Sequence, residues 1–167
     1  TSLIFNNKEH IDSIYIITTD TDKRKHDKYI NYIKKTYGIN IIFIYFTDEF
    51  FRHLILGTYV PAHVYRLMLD KLLPMELDKV LYLDCDLVVD GSLKYLCELK
   101  FNDDIYAYAV NHSDYTEGEF LEISQRLGEH KFNKYFNSGV LYLNLQLLRK
   151  NNASKLMLDM ANDLNGK

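Results

Sequence analysis

The stretch KVLYLDCDLVVDGSL, residues 79–93, closes an apolar run, Val80 to Leu83, with two acids one residue apart, Asp84 and Asp86. Two unpaired carboxylates at the end of a core strand are strongly unfavourable unless a cation or dense hydrogen bonding compensates them. Either they meet solvent, as the same tripeptide does in many surface turns, or they hold something positive. In extended backbone, positions i and i+2 point to one side with about 6 to 7 Å between their Cα atoms, near enough for both carboxylates to approach one ion. Cys85 is then expected to point the other way, into packing. Hard oxygen ligands without His or thiolate partners favour Mg²⁺ or Mn²⁺ over zinc and leave coordination positions for phosphate oxygens. The predicted ligand is therefore a metal-bound diphosphate. Phosphatases that use the first Asp of such a pair as nucleophile also place it after an apolar strand, but they continue with a Gly-Thr-like pair where this chain has Leu87 and Val88.

Such a pair needs a strand that ends at it and a fold that gathers other groups beyond that end. Ser13 to Thr19 is a β-branched and aromatic run that predicts a buried strand. Asp20 to Asp22 offer helix-start chemistry. From Lys23 to Tyr37 the apolar positions Tyr29, Ile30, Ile33 and Tyr37 lie at helical spacing with Gly38 behind them, an amphipathic helix with a stop signal. Ile39 to Phe46 is too continuous for a one-sided strand and predicts one covered on both faces, as in a parallel sheet. Pro61 and Pro74 frame a second helix with Val64, Leu67, Met68 and Leu72 on one face.

Beyond the strand Val80 to Leu83, the pattern predicts a short helix near Ser92 to Glu98 and a strand from Ile105 to Val110. A helix from Glu119 to Leu127, stopped by Gly128, and a strand from Val140 to Leu143 follow. Helical periodicity then runs through Leu147, Leu148, Leu156, Met157 and Met160. Strands separated by helices predict an α/β fold with helices flanking a mostly parallel sheet. Such sheets bind ligands beyond the carboxyl ends of their strands, where Asp84 and Asp86 sit.

Composition narrows the function. With 167 residues, 47% of them hydrophobic and 26% charged, the chain can bury the core of one globular domain. A net charge of -3 with scattered Lys and Arg provides no basic stripe, which argues against nucleic acid. The two cysteines, Cys85 and Cys97, have no metal-binding spacing and point to reduced thiols in a cytoplasmic setting. No apolar run of about 18 residues appears, so no membrane-spanning segment is expected.

Two stretches carry a further signal: VYRLMLDKLLPMELDKVLYLDCDLVVDGSL, and later FNSGVLYLNLQLLRK. In this order they resemble glycosyltransferase family 8, retaining enzymes that include bacterial lipopolysaccharide galactosyl- and glucosyltransferases and the glycogenins. The likeness covers about Val60 to Asn152 well and the earlier strands more loosely. It implies the GT-A, Rossmann-like fold of nucleotide-diphospho-sugar transferases. It also implies that Asp84 and Asp86 bind Mn²⁺ or Mg²⁺ and that the Asp84–Cys85–Asp86 segment holds the diphosphate of a UDP-sugar, with Asp84 near the ribose.

Arg66 matches the arginine that reaches the donor, where a guanidinium offers a fixed fork for oxyanions. The bland alternative is an exposed helix arginine in a surface ion pair. Asn137 matches the asparagine beside the transferred sugar, with Ser138 and Gly139 allowing close backbone approach; the alternative is a tight turn before a strand. The chain departs from the family at Asn111 and His112, where many relatives carry an acid, and His53 and His63 receive no role. Relatives also possess an earlier strand with an acidic nucleotide-contacting loop, and later an Asp-Gln-Asp-like segment and a His-x-x-Gly histidine that is the third metal ligand. The expectation is that residues 1–167 are one GT-A-like catalytic domain lacking its first strand and its C-terminal part.

The resemblance implies transfer of galactose or glucose, with anomeric configuration retained, from a UDP-sugar to a hydroxyl of a glycan or lipid-linked saccharide, in lipopolysaccharide biosynthesis. The metal would serve mainly as a Lewis acid for the leaving diphosphate, with Arg66 adding positive charge. A carboxylate nucleophile paired with a general acid, as in retaining glycosidases, is not identifiable. The expected location is cytoplasmic, at the inner face of the membrane by peripheral association. The rival readings are a non-catalytic nucleotide-sugar-binding domain, a metal-dependent phosphohydrolase, and a self-glucosylating primer with a tyrosine acceptor.

Overall fold

Lys23–Tyr37 forms the helix its spacing predicts, and Gly38 ends it: at φ 73° the backbone adopts the left-handed conformation that favours glycine, and its N–H donates to Lys34 O at 3.0 Å. The computed structural model describes residues 2–18, 23–45, 64–111 and 136–165, with Gly118, Leu121 and Gln125 besides. In chain order the elements are α1 (Ser2–Asn7), β1 (Ser13–Thr18), α2 (Lys23–Tyr37), β2 (Asn40–Tyr45), a 3-10 turn (Arg66–Met68) leading into α3 (Leu69–Leu72), and β3 (Lys79–Leu83). Then come α4 (Lys94–Cys97), β4 (Ala107–Asn111), β5 (Phe136–Asn144), α5 (Leu145–Lys150) and α6 (Ala153–Asn165). Pro61, Asp20 to Asp22 and Gly128 lie outside the described residues, as does the predicted helix at 119–127 apart from Leu121 and Gln125, which are helical.

β1 and β2 pair in parallel, from Ser13 opposite Asn40 to Thr18 opposite Tyr45, with α2 as the crossover. β2 is not covered on both faces as expected, since Ile42 is 40% exposed. The other sheet has the order β3-β5-β4, and β5 runs antiparallel to both neighbours. The expectation of a mostly parallel sheet thus holds for β1–β2 and fails for β5. Leu141 and Leu143 are buried because the central strand β5 lies under a layer of helices, and Tyr142, on its other face, is buried against Phe101. A central antiparallel strand covered in this way shows the same unbroken apolar run as a parallel one.

The helix layer forms the core with β5. Leu69 and Leu73 of the α3 region meet Leu141, Leu143, Leu145, Leu148 and Ala153, and Tyr15, Ile17, Ile44, Val80 and Tyr82 pack against that cluster. Asn144 starts α5 by accepting from Leu147 N at 3.0 Å. The helical stretch read as continuous is broken at Asn152, at φ 49°, into α5 and α6. Leu147 and Leu148 are buried, while Leu156 and Met160 of α6 are exposed.

Arg149 ties α5 to α3. Its guanidinium donates to five carbonyl oxygens, those of Asp70, Leu73, Pro74, Met75 and Leu77, at 2.7 to 3.2 Å. These are carbonyls at the end of α3 and in the turn before β3, which the short helix cannot pair internally. The fork therefore sets the entry of the chain into β3, the strand that ends at Asp84.

Candidate functional site

β3 delivers Asp84 at its carboxyl end. The last ladder pair is Leu83 with Val140, and the next amide, Asp84 N, donates to Gly139 O at 2.8 Å. Tyr82, two residues earlier, shares the face of Asp84, and its hydroxyl donates to Asp84 Oδ1. Burial, followed by this bond to a carboxylate, raises the Tyr82 hydroxyl well above the usual tyrosine range, so it remains a donor.

Arg66 approaches from the 3-10 turn before α3. Its Nη2 donates to Asp84 Oδ1 at 3.2 Å, with a longer contact of 3.5 Å to Oδ2, and its Nη1 donates to Ser138 O at 2.8 Å and to Ser138 Oγ at 2.7 Å. The guanidinium carbon lies 5.2 Å from the centroid of the Tyr82 ring. The Arg66 side chain is only 13% exposed and that of Asp84 29%, so Arg66 is not the surface arginine of the bland alternative.

β5 contributes through an irregularity. Against β4, Ala109 pairs with Leu141 but Val110 pairs with Asn137, so Ser138, Gly139 and Val140 are extra residues on the β5 side of that ladder. Bulges of this kind re-aim side chains at strand ends. Asn137 and Gly139 therefore lie inside β5 and not in a turn preceding it. Asn137 Oδ1 accepts from Gly139 N at 2.8 Å, which orients the side-chain amide.

Asp86 and Cys85 do not follow the extended geometry expected of them. They form a turn directly after Asp84, and both are exposed. Cys85 is thus not packed inside. The reason is that β3 loses its ladder partner at Val140, and the chain turns away after the Asp84 amide bond. The turn is secured from the other end by α1. Asn7 is buried, donates to Gly91 O at 2.9 Å and accepts from Leu93 N at 2.6 Å. Asn6 donates to Val89 O at 2.7 Å, and Ser2 Oγ accepts from Val89 N at 3.1 Å.

Carboxylate oxygens are the hard donors that a divalent cation of the Mg²⁺ or Mn²⁺ kind takes. Asp84 Oδ1 already serves Tyr82 and Arg66, whereas Oδ2 carries only the longer contact and lies in a space that a side chain at Gly139 would invade: a Cβ there would be 2.8 Å from it. Asp86 adds a second, exposed carboxylate. Among the described residues no group of three or more His, Cys, Asp or Glu side chains gathers to hold a metal.

Asn111 ends β4, while His112, His53 and His63 lie outside the described residues. The sequence reading missed Tyr82 and Asn7. The signal for Tyr82 was its position two residues before Asp84 on one strand; Asn7 had none, because its partners are more than eighty residues away.

The whole chain, residues 1–167, matches the family Glycosyl transferase family 8. The chain belongs to that family. A lipopolysaccharide 1,2-glucosyltransferase of Escherichia coli is 33% identical over 167 residues, which cover 97% of this chain and 47% of the relative. A second such enzyme, from Escherichia coli strain K12, is 35% identical over 85 residues, 51% of this chain and 24% of the relative. The family 8 chain thus spans about half the length of the first of these relatives and less of the second.

Among solved structures, the bifunctional glycosyltransferase WbbM in its apo form matches with TM-score 0.72 at 16% identity, covering 98% of this chain and 32% of that one. The galactosyltransferase LgtC, in complex with donor and acceptor sugar analogues, matches with TM-score 0.63 at 22% identity, covering 92% of this chain and 65% of that one. These likenesses show the GT-A fold. No helix among the described residues is long and apolar enough to cross a membrane.

Proposed function

We propose that this family 8 chain is a retaining hexosyltransferase that moves glucose or galactose from a UDP-sugar to a hydroxyl of a lipopolysaccharide or related glycan. The observation that carries the reading is the convergence of Arg66, Asp84 and the Asn137–Gly139 segment of β5 at the carboxyl end of β3. The E. coli relatives, lipopolysaccharide 1,2-glucosyltransferases by name, favour glucose and a lipopolysaccharide acceptor. An acceptor of that kind accords with peripheral association at the inner face of the membrane.

Asp84 and Asp86 are the residues that would hold Mn²⁺ or Mg²⁺. Bound there, the cation would supply Lewis-acid stabilisation of the leaving diphosphate. The protein's own groups do the rest. Arg66 lies against Asp84 with Tyr82 beside it, so its positive charge is fixed near where diphosphate charge would develop. A preset guanidinium needs little reorganisation when the leaving group departs. Asn137 is oriented by the bond that its oxygen accepts from Gly139 N, and its amide would offer donors to a sugar hydroxyl. Gly139 lets backbone, carboxylate and ligand crowd together without a side chain between them.

The test is a donor screen on the full chain with Mn²⁺, reading UDP release with and without glycan acceptors, for the wild type, Asp84→Asn and Asp86→Asn. Metal-dependent release from a UDP-hexose that disappears in both variants, with the fold retained, is the expected result. Undiminished release in either variant overturns the metal assignment. Tight UDP binding without turnover would identify a non-catalytic binding domain, and cleavage of a phosphomonoester instead of UDP-hexose a phosphohydrolase.

A further inference from the structure

Tyr82 touches both charged groups of the site at once. Its hydroxyl donates to Asp84 Oδ1, and Arg66 lies over its ring with the guanidinium carbon 5.2 Å from the centroid. The ring packs against the buried cluster that contains Leu141 and Leu143. It is therefore a fixed support, whereas the two residues it touches reach toward the ligand. An aspartate has two rotatable side-chain bonds, and Asp84 sits past the end of the strand, so the ladder does not set the orientation of its carboxylate. Arg66 also holds that carboxylate, but a guanidinium that must serve a diphosphate divides its donors when the ligand arrives. Tyr82 has no such second duty.

We propose that Tyr82 is the positioning residue of the donor site: its hydroxyl orients Asp84 so that Oδ2, beside Gly139, is kept for a divalent cation, and its ring face seats Arg66 above the same carboxylate. This rests on the proposed function, in which Asp84 is a metal ligand. The two contacts are separable. Tyr82→Phe keeps the ring and removes the hydroxyl; Tyr82→Leu removes both.

The experiment measures Mn²⁺ affinity in the presence of UDP, UDP affinity in EDTA, and the melting temperature, for the full chain and its variants Tyr82→Phe, Tyr82→Leu and Asp84→Asn. Removing a hydrogen-bond partner of a metal ligand typically lowers metal affinity by about 10- to 100-fold. Tyr82→Phe is expected to weaken Mn²⁺ binding at the low end of that range while changing metal-free UDP binding far less. Tyr82→Leu should weaken both, because Arg66 loses its seat.

Equal Mn²⁺ affinity in Tyr82→Phe and wild type overturns the inference, as does a fall in melting temperature with Mn²⁺ affinity unchanged. Indistinguishable UDP binding in the Leu and Phe variants overturns the part assigned to the ring. If Asp84→Asn itself leaves Mn²⁺ binding intact, the metal-site reading fails and takes this inference with it. That outcome is distinct from one in which only the Tyr82 variants behave as wild type.

Discussion

Gly139 and Asp84 approach each other so closely that no side chain fits between them. Asp84 N donates to Gly139 O at 2.8 Å, and a Cβ on Gly139 would lie 2.8 Å from Asp84 Oδ2 and 3.0 Å from Asn137 Oδ1. The atoms it would strike are side-chain oxygens, so the carboxylate and the amide must move while the ladder remains. Gly139→Ala is expected to lower Mn²⁺ affinity with UDP by roughly an order of magnitude, with a melting temperature close to wild type. Calorimetric titration beside a thermal melt distinguishes this from general destabilisation. Equal affinity in the variant would show that the close approach does not matter to the site.

Asn7 is predicted to be the main tie between α1 and the segment that follows Asp86. Asn7→Ala leaves Leu93 N, which is half-buried, and Gly91 O, which is exposed, without their buried side-chain partner. The expected loss of stability is about 1 kcal/mol, the net worth of hydrogen bonds whose backbone partners can still reach water. Urea unfolding of the two proteins checks it, and hydrogen exchange should show the amide of Leu93 losing protection first.

Arg149 should be intolerant even of lysine. Its five acceptors belong to a helix end and a turn, and a planar fork can reach carbonyls on several sides where a single ammonium cannot. Arg149→Lys is expected to cost about 2 kcal/mol and Arg149→Ala more, since charged hydrogen bonds to backbone carbonyls are lost. An urea midpoint unchanged in the lysine variant would contradict this.

Tyr82 gives the chain an alkaline limit. Burial and the bond to Asp84 raise its hydroxyl above the ordinary value of 10.0, so above that pH the unfolded chain releases a proton that the folded chain keeps. The unfolded state then binds fewer protons, and stability falls as pH rises. The contribution is full below pH 10 and is lost progressively above it. Denaturation midpoints followed up the pH scale should turn downward there, and Tyr82→Phe should remove part of the slope.

Much of the secondary structure was legible in the residue order. The helix at Lys23–Tyr37 with its Gly38 stop, and the strands at Ser13–Thr18 and Lys79–Leu83, follow from periods and stop residues acting over a few positions. Strand direction was not legible. The apolar run of β5 reads the same whether its neighbours are parallel or antiparallel, and the register of Val80 with Leu143 is settled by residues 63 positions apart. Nor did a single helical period reveal the break at Asn152 or the exposure of Leu156 and Met160.

The same division runs through the site. By itself the sequence determined which groups stand at the end of β3: an apolar strand must stop somewhere, and Asp84 and Asp86 mark where it meets polar surroundings. Only the tertiary structure decided how they are used. It sent Cys85 and Asp86 into an exposed turn, drew Arg66 and Ser138 together, and placed the Tyr82 hydroxyl on Asp84. The physical reason is one of range: strand and helix periods are set by backbone geometry between near neighbours, whereas the partner of a buried charge is whichever complementary group the packed fold brings within about 3 Å.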